Sequence, residues 1–346
     1  MKKVTATYSH TTVDYFFNDS FSRIGELFPR EKIIIITDEN IYNLYEQELD
    51  HFQVITIPAG EQHKQQSTID SVIAELLEMQ ADKEACLVGV GGGVVTDITG
   101  YCASIFKRGI RLGLVPTSLL AMVDAAVGGK NGVDVGVYKN MVGTIYQPEW
   151  ILFDVNFLRS LPMQYWQDGF AEIIKHASIR DAEMFHMLQE HDIPFYKKDA
   201  AALAELIERN VAIKTSIVVN DETEKGDRKL LNFGHTLGHA VENISEMSHG
   251  QAVSVGMMAA AAFSLDEGDF SIHEKNELQQ LLTRYGLPVS YNWRIDDVWQ
   301  VLLMDKKRSS GEMSFVLLHN IGNAYTKRIP LETLQQMIHN YKQPAS

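Results

Sequence analysis

The first half of the chain alternates short apolar runs with stretches whose apolar residues recur at helical spacing. The runs share the length and β-branched content of buried strands and cover residues 32–37, 52–57, 85–90 and 111–116. Residues 67–79 are the clearest helical stretch between them. Strands that alternate with helices build a mostly parallel sheet with both faces covered. The pattern therefore predicts an α/β domain.

The pattern changes near residue 162, after which β-branched runs nearly vanish. Apolar residues then recur at three- and four-residue steps, most clearly at 201–219 and 250–265, as on the buried face of a helix. One late strand-like run, 313–319, fits either a small hairpin or an added sheet edge. The expected fold class is α/β plus all-α, with domains at 1–160 and 161–346 and a boundary somewhere in 153–166.

Composition supports two domains and narrows the partners. A chain of 346 residues exceeds the size at which one hydrophobic core keeps growing. The 31 Lys and Arg against 45 Asp and Glu give a net charge of −14, which argues against nucleic acid or an anionic membrane as a partner. A phosphorylated ligand would be repelled as well, so a site for one must gather cations locally. The two cysteines and the absence of an apolar signal core favour a cytoplasmic protein.

A glycine-rich turn follows the apolar run 85–90. Gly91, Gly92 and Gly93 stand between a strand and a helix, where backbone N–H groups can approach a diphosphate. The dinucleotide fingerprint fails because Val94 stands at its sixth position, so a tight structural turn remains the alternative. Asp97 suits the first turn of a helix even without a ligand. Asp38, Glu61 and Lys64 follow two other strands, in loops that converge on the ligand crevice of an open sheet or are simply solvated.

Histidines and acids cluster in the second half. His235, His239 and Glu242 fall on one helical face by their four- and three-residue steps, and His249 follows just before the next helix. Imidazoles at this spacing bind divalent metals when a carboxylate from another helix joins them. Glu172, on an otherwise apolar helical face, is that candidate, and a salt bridge to Lys175 is its alternative role.

Cations occur beside the glycines and histidines rather than in a surface scatter. They predict phosphate and carboxylate clamps, at Arg108, Lys130, Lys139, Lys175, Arg228, Lys306 and Lys307. Asp124 lies in an apolar stretch upstream of Lys130, and a helix cap is its alternative role.

Taken in order, these motifs resemble the 3-dehydroquinate synthases over nearly the whole chain. The resemblance rests on Gly60-Glu61 with Lys64, the turn 91–97, Arg108-Gly109-Ile110, residues 116–120, Val123-Asp124 with Gly128-Gly129-Lys130, Lys139-Asn140, residues 171–175, residues 231–235 and His249-Gly250. The family implies an N-terminal Rossmann-like domain that binds NAD and a C-terminal helical domain that binds Zn²⁺ or Co²⁺. It further implies a homodimer.

The resemblance also implies a role for individual residues. The metal ligands would be Glu172, His235 and His249, with His239 on the substrate side. NAD would be held by Asp38, Glu61, Lys64, Gly91, Gly92, Gly93, Val94, Asp97, Thr117, Ser118, Lys130, Lys139, Phe157, Leu158, Arg159 and Ser160. The substrate, a phosphorylated sugar acid, would meet Asp124, Lys130, Lys139, Asn140, Lys175, Lys214, Arg228, Asn232, His239 and Lys306 or Lys307, with Arg108 reaching the site of a partner subunit.

The implied reaction is a phosphate-eliminating cyclisation of 3-deoxy-D-arabino-heptulosonate 7-phosphate to 3-dehydroquinate, in which NAD is reduced and reoxidised within each turnover. Three positions depart from the family: Asn131 replaces the usual Thr, Thr96 the usual Gly and Gln251 the usual Glu. The last removes a charge near His249, so either metal affinity or the orientation of the groups around the metal ligands is expected to differ.

Three other classes compete with this interpretation. A related sugar phosphate cyclase would make a different carbocycle from a different phosphorylated sugar; Arg228, Asn232, His239 and the Lys306-Lys307 pair favour the dehydroquinate interpretation, because a substrate carboxylate needs cationic partners. A polyol dehydrogenase of the glycerol dehydrogenase type is expected to carry Asp in place of Glu172 and to lack Lys130 and Asn140. A non-catalytic nucleotide-binding protein would have no use for a buried Glu172, His235 and His249 cluster.

Overall fold

The computed structural model describes residues 2–136, 138–268, 270–304, 308–309 and 311–341; Lys306 and Lys307 lie outside them. The strands are β1 (Lys2–Thr7), β2 (Thr12–Phe17), β3 (Ile33–Asp38), β4 (Gln53–Ile57), β5 (Cys86–Gly91), β6 (Arg111–Pro116), β7 (Lys130–Val135), β8 (Tyr138–Ile145), β9 (Trp150–Phe153), β10 (Arg308–Ser309), β11 (Glu312–Asn320) and β12 (Asn323–Pro330). The α-helices are α1 (Ile24–Leu27), α2 (Glu39–Leu49), α3 (Gln66–Glu78), α4 (Gly93–Ile105), α5 (Met163–Arg180), α6 (Ala182–Glu190), α7 (Ile193–Lys198), α8 (Ala200–Asn220), α9 (His235–Ile244), α10 (His249–Asp266), α11 (Ile272–Arg284), α12 (Ile295–Met304) and α13 (Leu331–Asn340).

The chain forms two compact units. The first consists of Met1–Leu161 and Ala200–Thr223, and the second of Pro162–Asp199 and Glu224–Ser346. The hydrophobic pattern placed α8 in the second domain because it lies among helices in the sequence, whereas its contacts group it with the first unit. The predicted α/β fold with a mainly helical second part is confirmed.

A seven-stranded sheet forms the centre of the first unit, in the order β1-β2-β9-β6-β5-β3-β4. All neighbouring strands run parallel except β1 and β2. The four predicted strands are β3, β4, β5 and β6, and every residue of β5 is buried, as expected for a strand covered on both faces. The chain moves from β3 to β4 in one direction and from β5 to β6 in the other, so the strand order reverses between β3 and β5. Ligands of open α/β sheets bind at the carboxyl ends of the strands at such a reversal.

The hydrophobic pattern missed the hairpin of β7 and β8, which packs its first strand against α4 and forms a separate antiparallel pair. Asn131 is buried at the base of this hairpin, and its amide Nδ2 donates to the carbonyl oxygens of Gly129 at 2.8 Å and Tyr146 at 2.9 Å. Gly100 makes room for it, since a Cβ there would lie 1.8 Å from Asn131 Oδ1. Asn131 is therefore accommodated by local packing.

We expect Asn131→Ala to lower the free energy of unfolding by about 1–3 kcal/mol, because it removes both hydrogen bonds inside the protein. Asn131→Thr is expected to lower it less, since one hydroxyl can replace one of the two donors. Urea unfolding followed by circular dichroism measures both. The matched control is Asn220→Ala, which removes a single amide bond to Ser216 at an exposed position. Equal losses of stability at the two positions would contradict a stabilising role for the two buried hydrogen bonds of Asn131.

The second unit is mainly helical and contains a three-stranded sheet in the order β10-β11-β12. The late apolar run becomes β11, which pairs antiparallel with β12, so the hairpin is the correct one of the two alternatives. Helix α10 is buried at nearly every position from Gly250 to Ser264 and is the centre of this unit. Among the described residues, no helix is long and apolar enough to cross a membrane.

Candidate functional site

Glu172 lies in the middle of α5 and is fully buried. One turn later, the equally buried Lys175 forms an ion pair with its Oε2 atom. A buried carboxylate needs such a partner because desolvation otherwise favours its neutral form. The predicted alternative, a salt bridge to Lys175, therefore exists, and it is made through Oε2.

The other oxygen of Glu172 faces two histidines. His235 Nε2 lies 3.5 Å and His249 Nε2 lies 3.3 Å from Glu172 Oε1. These two residues begin α9 and α10, so two helix ends bring their side chains to the middle of α5. One ligand atom from each of Glu172, His235 and His249 lies within 4.8 Å of the others. Two imidazoles and one carboxylate leave positions open for a substrate on a divalent ion.

Helices α9 and α10 approach closely at glycine positions. Gly234 precedes His235 with a left-handed backbone (φ 78°), and a Cβ there would lie 2.6 Å from Met257. A Cβ on Gly256 would lie 1.9 Å from the carbonyl oxygen of Gly234. This contact brings the start of α9 against α10. In addition, His235 Nδ1 lies 3.1 Å from the carbonyl oxygen of Phe233, and donation by this nitrogen leaves the Nε2 lone pair facing Glu172.

His249 contacts a carboxylate through each ring nitrogen. Its Nδ1 atom lies 3.5 Å from Glu242 Oε2, while its Nε2 atom faces Glu172. Burial lowers the pKa of His249, but the hydrogen bonds with Glu172 and Glu242 outweigh burial and raise it to about 10. A metal that binds Nε2 must therefore displace a proton.

A second donor set, consisting of His239, Glu242 and His249, also lies within 4.8 Å. It shares His249 with the first set, and the carboxylates of the two sets face different ring nitrogens of His249. Glu242 meets Nδ1, where carboxylates commonly orient a ligating histidine through its other nitrogen. The set of Glu172, His235 and His249 contains the fully buried Glu172, whose Oε1 atom faces the Nε2 atoms of both histidines, so this set is the better candidate.

Gln251 closes the first turn of α10. Its Oε1 atom accepts a hydrogen bond from the backbone N–H of Ser248 at 3.1 Å, as in a capping box. Glutamate at this position would accept the same bond. Gln251 thus acts as a helix-capping residue.

We expect Gln251→Glu to raise the free energy of unfolding by about 0.3–1 kcal/mol, because an anion at a helix N-terminus is favourable. Gln251→Ala is expected to lower it by about 0.5–2 kcal/mol, because the cap is lost. Thermal unfolding of the metal-free protein measures both changes. A loss of stability in Gln251→Glu would contradict the capping role.

The glycine-rich turn lies in the first unit, at the carboxyl end of β5. Gly92 precedes α4, and a Cβ there would meet only Ser118 within 4 Å, at 3.6 Å. The N–H of Thr117 donates to the carbonyl oxygen of Gly91 at 2.9 Å and joins the ends of β5 and β6. The hydroxyl of Thr96 donates to the carbonyl oxygen of Gly93 at 3.0 Å, so this side chain is hydrogen-bonded within the first turn of α4. Asp38, at the end of β3, caps α2 through Asn40 and Ile41 N–H groups.

Lys64 is the buried centre of a cluster in this unit. Its Nζ atom lies 2.5 Å from Asp97 Oδ2 and donates to Asn140 Oδ1 at 2.7 Å. Burial lowers the pKa of Lys64, but Asp97 and Glu61 outweigh it and hold the pKa above its usual value. Asp134, which the sequence did not single out, accepts from the N–H of Asn140 at 2.6 Å and donates its own N–H to the carbonyl oxygen of Lys64 at 2.8 Å.

Asp124 lies in a π-helical segment, Ala121–Ala125, that follows β6. Lys214, on α8, donates to its backbone oxygen and to Oδ1, both at 2.6 Å. The structure thus brings together two predicted substrate residues that are 90 positions apart. Lys130 is exposed and Lys139 partly buried on the hairpin of β7 and β8.

Four further predicted NAD residues lie in the 3-10 helix Val155–Ser160. Phe157 packs in the main core of the first unit, in edge-to-face contact with Phe21 and Tyr45, and Leu158 is also buried. Arg159 and Ser160 are exposed. Arg108 is exposed as well, and both it (φ 63°) and Lys107 (φ 48°) have left-handed backbones.

The remaining predicted substrate residues lie in the second unit. Arg228 is buried in the 3-10 helix Asp227–Asn232, and Asn232 Nδ2 donates to Glu224 Oε1 at 2.5 Å. The ring of His239 lies 5.1 Å from that of His235 and 6.0 Å from that of His249, centre to centre. Lys175, His239 and the three candidate metal ligands thus form one cluster. Glu224 was missed by sequence reasoning, and only its short separation from Asn232 could have indicated it.

The parallel sheet with a glycine-rich turn at its reversal, and the helical unit with a buried Glu–His–His donor set, are typical of two-domain α/β enzymes that use a nucleotide and a divalent metal. Residues 54–168 match the family model for the 3-dehydroquinate synthase N-terminal domain, and residues 169–308 match that for the C-terminal domain. The chain belongs to the 3-dehydroquinate synthase family.

Individual relatives agree with the family match. The chain is 36% identical over 322 residues to the 3-dehydroquinate synthase of Campylobacter concisus (strain 13826). This match covers 90% of this chain and 92% of the relative. A crystal structure of 2-deoxy-scyllo-inosose synthase with carbaglucose-6-phosphate, NAD⁺ and Co²⁺ superposes with a TM-score of 0.86 at 22% identity, covering 97% of this chain and 99% of the other. The 2-epi-5-epi-valiolone synthase of Streptomyces hygroscopicus subsp. jinggangensis 5008, with NAD⁺ and Zn²⁺ bound, gives a TM-score of 0.85 at 27% identity, covering 98% and 96%.

Proposed function

We propose that the chain converts 3-deoxy-D-arabino-heptulosonate 7-phosphate to 3-dehydroquinate and phosphate. The observation that carries the proposal is the buried cluster of Glu172, His235 and His249 in a chain of the 3-dehydroquinate synthase family. The reaction breaks a carbon–oxygen bond with loss of phosphate, so the enzyme is a lyase.

The proposed metal is Zn²⁺ or Co²⁺, held by Glu172, His235 and His249. The donor set fits, because one carboxylate oxygen and one imidazole nitrogen from each histidine converge within 4.8 Å. A divalent ion there would acidify a substrate hydroxyl. Lys175 pairs with Glu172, and Glu242 and the carbonyl oxygen of Phe233 would orient the two histidines.

NAD is the proposed nucleotide, and related cyclases with NAD⁺ bound support it. The cofactor would accept a hydride from the substrate and return it, so that no net oxidation occurs. The diphosphate would bind at the N-terminus of α4, where the proposed contacts are Gly91, Gly92, Gly93 and Val94. The other proposed contacts are Asp38, Glu61, Lys64, Asp97, Thr117, Ser118, Lys130, Lys139 and the segment 157–160.

The substrate is anionic at both its phosphate and its carboxylate, and the chain carries a net charge of −14, so binding requires local cations. The proposed contacts in the first unit are Asp124, Lys130, Lys139, Asn140 and Lys214. Those in the second unit are Lys175, Arg228, Asn232 and His239. Buried Arg228 and Lys175 are restricted in their side-chain motion, and such fixed cations lose little entropy when an anion binds.

The test is phosphate release measured with NAD and Zn²⁺ or Co²⁺ on several sugar phosphates. We expect release from the heptulosonate phosphate with no accumulation of NADH. Release from only a different sugar phosphate would favour another cyclase reaction. A steady rise of NADH absorbance with a simple polyol would favour a dehydrogenase, and full activity after exhaustive chelation would contradict the metal.

We also propose a homodimer in which Arg108 reaches the partner's site. The hairpin of β7 and β8 supports this, because it exposes five large apolar side chains by 40–48%: Val135, Tyr138, Met141, Val142 and Ile145. Exposed apolar edge strands are normally covered by a partner. Sedimentation equilibrium is expected to give a dimer, and the double variant Met141→Lys, Val142→Lys a monomer. A monomeric parent chain at micromolar concentration would contradict the proposal.

A further inference from the structure

Asp168 lies one helical turn before Glu172 on α5 and is almost completely buried, at 5% exposure. Its Oδ1 atom accepts two hydrogen bonds from the start of α10. Ser248 Oγ donates at 2.5 Å, and the backbone N–H of Gly250 donates at 3.0 Å. Both donors are immediate neighbours of His249, so Asp168 fixes the backbone on each side of that histidine.

Gly250 shows how tightly this contact is packed. A Cβ at this position would lie 2.4 Å from the Cα atom of Asp168 and 3.1 Å from the Cβ atom of Ala171. The start of α10 therefore rests directly on the backbone of α5. Residues four apart on a helix lie on the same face, so Asp168 and Glu172 point toward the same neighbour. One helix thus carries both a candidate metal ligand and the anchor of another ligand.

We propose that Asp168 is a positioning residue that holds His249 at the separation from Glu172 that a divalent ion requires. The inference rests on the proposed metal centre. The 3.3 Å between His249 Nε2 and Glu172 Oε1 depends on where α10 begins, and the two bonds to Asp168 determine that place. Groups that orient a ligand commonly change metal affinity by about 10- to 100-fold.

An ordinary helix cap would use the same kind of hydrogen bond, so the experiment must separate positioning from capping. Asp192 provides a matched control in the same unit. Its side chain accepts from the N–H of Phe195 at 2.9 Å at the start of α7, and none of the three proposed metal ligands lies on that helix. Removing either aspartate removes a cap, but only Asp168 is bonded to the neighbours of His249.

The experiment is titration of the metal-free, full-length protein with Co²⁺, followed by the visible absorption of the bound ion. Thermal unfolding of each metal-free variant is measured in parallel. We expect Asp168→Ala to weaken Co²⁺ binding about 10- to 100-fold and to change the absorption bands, because the ligand geometry relaxes. Asp168→Asn, which keeps an oxygen acceptor, is expected to stay within about threefold of the parent. Asp192→Ala should shift unfolding without changing Co²⁺ affinity or the bands.

Ser248→Ala covers the case in which Asp168→Ala does not fold. It removes one of the two bonds to Asp168 together with the side-chain cap of α10, and it is expected to weaken Co²⁺ binding by an intermediate factor. Unchanged Co²⁺ affinity and bands in both Asp168→Ala and Ser248→Ala would overturn the inference. His235→Ala separates this failure from failure of the metal centre itself. If His235→Ala binds Co²⁺ as tightly as the parent chain, the proposed centre is wrong; if it does not bind while Asp168→Ala does so normally, only the positioning role is wrong.

Discussion

Glu172→Gln is expected to abolish metal binding and to lower the rate of phosphate release by about 1000-fold or more. The estimate follows because a catalytic divalent ion supplies several kcal/mol of transition-state stabilisation, and each 1.36 kcal/mol changes a rate about tenfold. The same variant should lower the free energy of unfolding by about 3–5 kcal/mol, because it leaves the ammonium of Lys175 buried without its carboxylate. Metal content after dialysis, phosphate release and urea unfolding measure the three effects.

His235→Ala distinguishes loss of the metal from loss of the fold. It removes one ligand but keeps the ion pair of Glu172 with Lys175, so we expect activity to fall as far as in Glu172→Gln with a smaller loss of stability. His273→Ala is the control, since its side chain is 83% exposed on α11. Normal metal content in both Glu172→Gln and His235→Ala would contradict the proposed centre.

Lys64→Met is expected to lower the free energy of unfolding by about 1–3 kcal/mol at pH 7, because Asp97, whose side chain is only 14% exposed, loses the cation paired with it. Burial raises the pKa of Asp97 and Lys64 opposes that rise. In the variant the folded-state pKa of Asp97 should therefore rise further above its unfolded value. A carboxyl group whose pKa is higher in the folded state stabilises the fold at low pH and loses that contribution as pH rises. The loss of stability caused by Lys64→Met should therefore shrink as pH falls toward about 4.

A double-mutant cycle with Asp97→Asn isolates the pair. We expect the double variant to lose less stability than the sum of the single losses, because the uncompensated charge is gone. Urea unfolding at pH 7 and pH 5 gives the coupling, and Lys83→Met is the control at an exposed position of the same unit. Strict additivity of the two substitutions, or a deficit that is independent of pH, would show that the pair is not coupled in this way.

The sequence predicted the features that depend on local pattern. β3 and β5 are nearly continuous apolar runs because both faces of these strands are covered, and such runs are visible without any pairing information. Glu172 was singled out because an acid on an apolar helical face requires a partner. The sequence missed β9, which has only four residues, and β1, which is largely exposed and lacks the buried face of a core strand.

Features that depend on pairing over long distances in the chain could not be predicted. Asp134 acts through backbone groups of Lys64 and Asn140, and nothing in its neighbourhood signals those bonds. Asp168 has the same apolar surroundings as Glu172, but its partners lie 80 and 82 residues away. The pairing of Lys214 with Asp124 likewise depends on α8 belonging to the first unit, which helical periodicity does not show.

The membership of α8 in the first unit has a consequence for how such a chain can be divided. The first unit ends at Leu161, resumes at Ala200 and ends again at Thr223, so the chain passes between units three times. A gene fragment that stops after residue 161 would lack α8, whose buried residues Leu206, Ile207 and Val211 belong to that unit. A single recombination point therefore cannot exchange one unit and keep the other whole, and the two units are expected to be inherited together.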